Sequence, residues 1–408
     1  MGQDTNYNRW IRFALLLFIL GSVAACDVSD DGSGSAVWST LSSYSVIGEL
    51  TREEIIEVWP DLGPLATFLA YDVTAYRLNY RTTGSDGRSL LVSGLVLNPN
   101  RTRPPLLSLH RGTIFHESEA PSRFNPDVPN ANTGWTHFGP AAASMGYLTI
   151  MPDLIGFGTS SQSHQAYLIR RLEGGAAYDM LRAVMEFAED LERDVAPGLY
   201  VTGYSQGGNT ALALLDRISE DPSSRFNVTK ATAGGAALDL EGTAIAVLEQ
   251  DQLSSAPFYT LLVYSILQAE LPLRPVTSIF ATPWSEEIGS GELFGGDLTR
   301  TEVSDRLTNQ TSDLFLPLFR SQFLGQGEQE IKNVLRENSL HNSPVEGPLR
   351  LFHGTEDEII PYEVAAAAAT SLEQAGSTDL TFHPVPDGTH ATAAETYLEE
   401  TIRWFLGL

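Results

Sequence analysis

Apolar and polar positions along this chain fall into blocks whose period switches between two and nearly four. Tyr76, Leu78 and Tyr80 alternate with polar residues, Gly84-Ser85-Asp86-Gly87 interrupts them, and Ser89–Leu97 resumes an apolar run. Two such runs around a turn predict a β-hairpin. Short apolar runs at 105–109 and 147–151 predict buried strands. Ala177, Met180, Leu181, Val184, Met185, Phe187 and Ala188 make one stripe at helical spacing, which predicts a helix over 176–192. Leu199-Tyr200-Val201-Thr202 then reads as a strand, Thr210–Leu215 as a helix and 229–237 as another strand. The pattern resumes at 348, where Leu349–Phe352 and Leu380–Val385 predict two strands with two helices, the last over 391–406. Upstream, Thr51-Arg52-Glu53-Glu54 has capping-box spacing ahead of Ile55-Ile56 and predicts a short helix. Strands alternating with helices predict an α/β fold: a mostly parallel sheet covered by helices on both faces.

Residues 241–343 break this rhythm. The stretch is helix-prone, with few alternating runs and many large apolar residues: Phe258, Tyr259, Leu261, Leu262, Tyr264, Ile266, Phe280, Trp284, Phe294, Phe315, Leu316, Phe319 and Phe323. It reads as a helical cap inserted after the sixth core strand, dividing the core into 36–240 and 344–408. Its apolar residues could wall a cleft or form only the insertion's own small core.

Charge narrows the choice of partners. The chain carries 51 acidic against 25 basic residues, a formal charge of −26. Nucleic acid is a poor partner for such a surface. Lys230 and Lys332 are the only lysines. Such a composition suits either a saline habitat or simply a soluble surface with spare negative charge.

The N-terminal end reads as an export signal. Arg9 and Arg12 precede the apolar run Phe13–Leu20, and small residues then lead to Val23-Ala24-Ala25-Cys26. The last four residues resemble the bacterial lipobox, which implies removal of 1–25 and lipid attachment at Cys26. The apolar run is short for a membrane span. Cleavage removes Asp4, Arg9 and Arg12 and so leaves one more net negative charge. Residues 26–35, acidic and rich in Gly and Ser, read as a flexible tether. The expected location is the periplasmic or extracellular face of a bacterial membrane. Cys26 is the only cysteine, so no internal disulfide can form. Asp27 follows it, a hint of inner-membrane retention if the source is an enteric bacterium.

The strongest chemical signal is Gly203-Tyr204-Ser205-Gln206-Gly207, which fits G-x-S-x-G. Strand, turn and helix patterns meet at Ser205, the context this nucleophile elbow requires. A neutral hydroxyl needs a base to take its proton, and the base needs an acid to hold its tautomer. His390 follows the strand run at 380–385, and Asp357 follows the one at 349–352. Both lie on loops at the C-terminal ends of predicted strands, where sites of open α/β sheets assemble. The chain order is Ser, Asp, His.

These blocks resemble the α/β-hydrolase superfamily, and within it the bacterial and fungal secretory lipase/esterase family. Leu107-Ser108-Leu109-His110-Arg111-Gly112-Thr113, with Ala120-Pro121-Ser122, is similar to that family's oxyanion strand and loop. Met151-Pro152-Asp153-Leu154-Ile155-Gly156-Phe157-Gly158-Thr159-Ser160, with His164-Gln165-Ala166-Tyr167-Leu168, resembles the loop after the next core strand. The elbow and the Asp357 and His390 loops complete the likeness, which spans 105–395 and leaves out both ends and 241–343. The family often has histidine before the oxyanion Gly-Thr; Arg111 stands there in this chain, after His110. The resemblance implies an oxyanion hole from the backbone amides of Thr113 and Gln206.

Other signals are weaker. His116-Glu117-Ser118-Glu119 begins like a zinc-protease motif but lacks the second histidine, and no other spacing suits a metal, so none is expected. Gly156-Phe157-Gly158 lacks the third glycine of a dinucleotide loop and reads as a turn, leaving no cofactor in view. Asp153 precedes the serine in the chain and suits a role bonding loop amides. Glu356 and Glu358 are fallback acids beside Asp357. His353 and His383 read as structural histidines, and His110 could line the cleft or lie within the core.

The expected function is hydrolysis of a small carboxylic ester through an acyl-enzyme. Amide or peptide hydrolysis by the same trio is the alternative, as is a hydrolase-like lipoprotein that only binds. Because a base works only when unprotonated, turnover should rise with pH through the range where a histidine titrates, about 6.5 for the free side chain. The lipobox predicts that labelled palmitate enters the expressed protein and that Cys26→Ser abolishes the label; equal labelling of both would contradict the anchor.

Overall fold

The computed structural model describes residues 39–58, 60–126 and 138–408. The export signal, Cys26 and the 26–35 tether lie outside the described residues. Strand β1 (Leu41–Leu50) leads into helix α1 (Arg52–Val58), and a hairpin of β2 (Val73–Thr83) and β3 (Ser89–Pro99) follows. Then come β4 (Leu106–His110), α2 (Phe138–Ser144), β5 (Leu148–Pro152), α3 (Arg170–Asp190), β6 (Leu199–Tyr204), α4 (Gln206–Ser219) and β7 (Val228–Gly234). Helices α5 (Leu240–Glu249), α6 (Ala256–Ala269), α7 (Trp284–Ser290), α8 (Arg300–Asp305), α9 (Thr311–Leu314), α10 (Pro317–Leu324) and α11 (Gln329–Asn338) fill the interval before β8 (Leu349–Gly354). The chain ends with α12 (Tyr362–Ala375), β9 (Leu380–Val385) and α13 (Ala393–Leu406).

Nine strands form one sheet in the order β1-β2-β3-β5-β4-β6-β7-β8-β9. The first three pair antiparallel, and β3 pairs antiparallel with β5. From β5 to β9 every pairing is parallel. The α/β expectation therefore holds, with an antiparallel hairpin at one side. β4 and β5 are buried along their whole length, as continuous apolar runs covered on both faces should be. Successive residues point to opposite faces, so Leu106 joins the apolar layer under α3 and α4 while Leu107 joins the one under α1, α2 and α13.

Three elements depart from the sequence reading. β1 carries no alternating apolar pattern: Leu50 alone is buried, and only Leu41, Tyr44 and Ile47 lean on the cores. It is a bulged edge strand, stabilised mostly by its backbone pairing with β2. Its presence makes the helical insertion follow the seventh strand rather than the sixth. Helix α3 begins at Arg170, ahead of the predicted 176, because two arginines, a buried glutamate and two glycines hide its first turns. Gly174 has a packing reason, since a Cβ there would sit 2.5 Å from the Ala213 carbonyl of α4. A bidentate pair, with Arg170 Nε and Nη2 at 2.8 and 2.6 Å from the Asp216 carboxylate, ties the same two helices. The predicted strand at 229–237 ends at Gly234, and the following loop is held by Asn209, which exchanges hydrogen bonds of 2.9 and 2.8 Å with Ala237.

In the insertion most of the large apolar residues turn inward. Leu261, Tyr264, Ile266, Phe280, Phe294, Phe315, Phe319 and Phe323 are all buried. Phe315, Phe319 and Phe323 follow one another with ring centroids 6.0 and 5.7 Å apart. These residues form the insertion's own core, continuous with the layer over α3 and α4. Phe258, Tyr259, Leu262, Trp284 and Leu316 are only half-buried.

Phe187 of α3 fixes the antiparallel end of the sheet, its ring 4.9 Å from both Tyr44 of β1 and Tyr76 of β2 in edge-on contact. Phe187→Ala should lower stability by about 3–5 kcal/mol, read from the urea midpoint. A loss below about 1 kcal/mol would mean that α3 does not clamp these strands.

Candidate active site

The elbow begins with backbone strain. Ser205 holds φ 58° and ψ −121°, a conformation L-residues rarely adopt, at the corner between β6 and α4. Its amide donates to the Gly234 carbonyl at 2.8 Å, and its carbonyl accepts from the Gly208 amide at 2.9 Å. A Cβ at Gly203 would run into the Gly207 carbonyl, and one at Gly207 would run into the His110 carbonyl at the end of β4. The two motif glycines are thus dictated by backbone meeting backbone, and the strained serine presents its hydroxyl above the sheet.

Two loops from the far end of the parallel sheet reach that hydroxyl. His390 Nε2 lies 3.0 Å from Ser205 Oγ, and His390 Nδ1 lies 2.8 Å from Asp357 Oδ2. The three residues the sequence singled out are therefore within hydrogen-bond reach in the order serine, imidazole, carboxylate. Asp357 is buried at the end of β8, where its other oxygen accepts from the Ile359 and Ile360 amides, each at 2.9 Å. Burial alone would raise the carboxyl pKa, but the hydrogen bond and charge of His390, with smaller help from His353 and the Ile360 amide, hold it below the ordinary value. The carboxylate is thus kept ionised where a positive imidazole would form.

The His390 loop is itself fastened. Its amide donates to Glu358 at 3.0 Å, and its carbonyl accepts from the Tyr204 hydroxyl at 2.7 Å. The fallback acids thus lie elsewhere: Glu358 grips the backbone of 390, and Glu356 is exposed. His353 is closer to the chemistry than its sequence setting suggested. Its Nε2 is 2.8 Å from the Ile360 carbonyl and 3.3 Å from Asp357 Oδ2, so it braces the acid loop from below. Burial lowers its pKa and keeps it neutral. The signal available in the sequence was its place four residues before Asp357.

Behind the elbow lies a buried polar network. Arg111 Nη1 donates to the Gly112 carbonyl at 3.0 Å and to Gln206 Oε1 at 3.1 Å, while Nη2 donates to the Asp153 carbonyl at 2.6 Å. The guanidinium also stacks over Phe157, 5.0 Å from the ring centre. Gln206 Nε2 in turn donates to Glu173 at 2.7 Å, and Glu173 also accepts from Thr210 and from the Leu168 amide. Burial pulls Arg111 down to about 10 against the attraction of Asp153 and Glu173. Burial pushes Glu173 up to about 7, opposed by those hydrogen bonds and by Arg111. Sequence reading missed Glu173 entirely.

The remaining candidates have partners of their own. Asp153 accepts from the Ser122 amide at 2.7 Å and the Ser93 hydroxyl at 2.6 Å, tying its own loop to the one at 122 and to strand β3. His110 is buried against Ser108 Oγ at 3.0 Å, and burial with the neighbouring Arg111 charge drops its pKa to about 3. It lies within the core rather than as a free base. His383 pairs with Thr381 at 2.9 Å and stacks on Phe352. Glu117 pairs with Arg123 at 2.7 Å and takes the Gly158 amide, while His116 caps the short turn after it. Thr113 Oγ1 donates to the Tyr167 hydroxyl at 3.2 Å.

The insertion touches this end of the sheet. Tyr259 of α6 donates to the Ile359 carbonyl on the acid loop at 3.0 Å. Ser265 of the same helix bonds the Gln165 carbonyl at 2.8 Å, and the Glu117 amide donates to Gly296 at 2.7 Å. A cavity of about 260 Å³ lies between α5 and the acid loop, walled by Val247, Leu253, Tyr259, Ile359 and Pro361.

Known proteins share this architecture. A hydrolase assigned in Legionella pneumophila is 26% identical with a TM-score of 0.80, the match covering 90% of this chain and 98% of that one. The rice cell wall degrading esterase LipA of Xanthomonas oryzae matches at 22% identity and TM-score 0.76, over 88% of this chain and 95% of its own. Candida antarctica lipase A matches at 17% and 0.66, over 89% and 80%. None of the curated proteins matches the chain in sequence. Residues 140–406, from α2 to the end of α13, match the model of the secretory lipase family. With that match over the greater part of its length, on the α/β-hydrolase fold, this chain belongs to the secretory lipase family and is an ester hydrolase.

Proposed function

We propose that the protein cleaves carboxylic esters through a covalent acyl-enzyme on Ser205. His390 Nε2 takes the hydroxyl proton as Oγ attacks the ester carbonyl carbon. The carbonyl π pair moves onto oxygen, and the amides of Thr113 and Gln206 bind the resulting oxyanion. Among the described residues neither amide has a protein acceptor, as free oxyanion donors require. Gln206 also opens helix α4, whose N-terminal dipole favours negative charge there. Collapse breaks the ester C–O bond, and the leaving alcohol takes its proton from His390. Water then repeats the sequence on the acyl-enzyme, releasing the acid and restoring the serine. Throughout, Asp357 holds the Nδ1 proton and balances the imidazolium charge.

The observation that carries this reading is the unbroken pair of hydrogen bonds at 3.0 and 2.8 Å through a single imidazole. The helical stretch 241–343 serves as a cap, fastened to the acid loop through Tyr259 and offering half-buried Phe258, Leu262 and Leu316 as apolar surface. Family membership supports export. The proposal adds lipid attachment at Cys26, which would hold the enzyme at a membrane face; no described helix is long and apolar enough to cross a membrane.

On short p-nitrophenyl esters, Ser205→Ala and His390→Ala should each lower kcat by about 10³-fold or more, with circular dichroism unchanged. Asp357→Asn should cost on the order of 10³-fold to 10⁴-fold, since an amide cannot balance the imidazolium. Turnover of Ser205→Ala within tenfold of the parent would rule out the acyl-enzyme. Matching p-nitroanilides, run beside the esters, should turn over far more slowly; comparable rates would make the enzyme an amidase as much as an esterase.

A further inference from the structure

Arg111 is a costly residue to bury, and its contacts all bear on one small region. Its Nη1 donates at once to the Gly112 carbonyl and to Gln206 Oε1. The Gly112 carbonyl and the Thr113 N–H belong to one planar trans peptide, so they point in opposite directions. Holding the oxygen therefore aims the Thr113 N–H. A cationic donor on that oxygen also polarises the peptide, which makes its N–H a stronger donor. The second contact reaches the other side of the same site. Gln206 follows the nucleophile, and its side chain is gripped at both ends, at Oε1 by Arg111 and at Nε2 by Glu173. Both grips come from buried groups, and Glu173 is fixed in turn by Thr210 and the Leu168 amide. Arg111 is anchored independently by the Asp153 carbonyl and the Phe157 face.

We propose that Arg111 is the positioning residue of the oxyanion hole, its guanidinium aiming the Thr113 amide through the Gly112 carbonyl and anchoring residue 206, which carries the second amide, by its side chain, with Glu173 holding the far end of that side chain. The inference rests on the serine-ester reading above. It gives Arg111 a role at the position where the resembling family often carries histidine. It also explains why a buried opposite charge lies on the first turns of α3: Glu173 balances the guanidinium across one glutamine, leaving neither charge uncompensated in the core. Arg111 touches no reacting atom in this account. It acts through the Gly112–Thr113 peptide and through the side chain of Gln206.

The test compares the full-length protein with Arg111→Met, Arg111→Met/Glu173→Gln, which removes both buried charges, and Gln206→Met, which keeps the backbone amide but removes its handle. Thermal midpoint, kcat and KM on a p-nitrophenyl ester are measured with binding of two inhibitors. One is a trifluoromethyl ketone, whose carbonyl takes the serine oxygen and becomes an oxyanion. The other is the matching hydrocarbon lacking the carbonyl, which binds as the ground state does. Mispositioned donors should lower kcat by about tenfold to a hundredfold while KM stays within about threefold. Ketone affinity should fall by the same factor and hydrocarbon affinity should hold. Folded variants with parental kcat, or with both inhibitors weakened alike, would overturn the assignment. If neither Arg111 variant folds, Gln206→Met alone decides by the same split. Ser205→Ala in the same assay separates the two claims. Retained turnover there defeats the serine reading itself, whereas lost turnover there with parental Arg111 and Gln206 variants defeats only this inference.

Discussion

At the end of β4 the His110 carbonyl occupies the space that a side-chain carbon on Gly207 would need. That contact joins the two halves of the site. On one side lies the strand whose loop carries Arg111, Gly112 and Thr113; on the other lies the elbow that carries Ser205 and Gln206. The first turn of α4 can press against β4 only because Gly203 and Gly207 have no side chains. The same crowding holds Ser205 at positive φ. The parallel sheet then sets the rest, since β8 and β9 end on the same edge as β6 and deliver Asp357 and His390 to the hydroxyl.

Charge is handled differently on the two sides of Ser205. On the His390 side, the Asp357 carboxylate is buried yet kept ionised by two backbone amides and two imidazoles. On the Gln206 side, a full positive and a potential negative charge are buried with a neutral amide between them. Neither arrangement is a cheap way to stabilise a core, because desolvating charged groups offsets much of their attraction. Both fix the direction of a donor. The first fixes the imidazole tautomer, and the second holds the Gly112 carbonyl, through which it is proposed to aim the Thr113 N–H. The exposed surface is by contrast strongly acidic, and its ion pairs contribute little to stability.

Much of this was legible along the chain. The elbow showed itself because its glycines are local in sequence, and Asp357 and His390 showed themselves because each directly follows a strand run. The parallel pairing of one half of the sheet followed from strand and helix alternation, whereas the strand order, with β4 between β5 and β6, did not. What stayed hidden was non-local or weakly patterned. Arg111, Asp153, Glu173 and Gln206 meet only through the fold, and no spacing links them. Glu173 sits among arginines and glycines that look like a solvated loop, although it opens a buried helix. β1 hides for the opposite reason: as an edge strand it needs backbone pairing more than apolar side chains. The aromatic residues of 241–343 gave no sign of which way they faced, because a helical segment of unknown packing has no fixed inside.

Ester cleavage at this site requires Ser205 to be an activated nucleophile in the folded protein. The direct measurement is intact-mass and peptide analysis after brief exposure to a fluorophosphonate, with urea-denatured protein as control. One adduct per chain, on Ser205 and in folded protein alone, is the expected result. An absent adduct, or one on another residue with Ser205 unmodified, would contradict it.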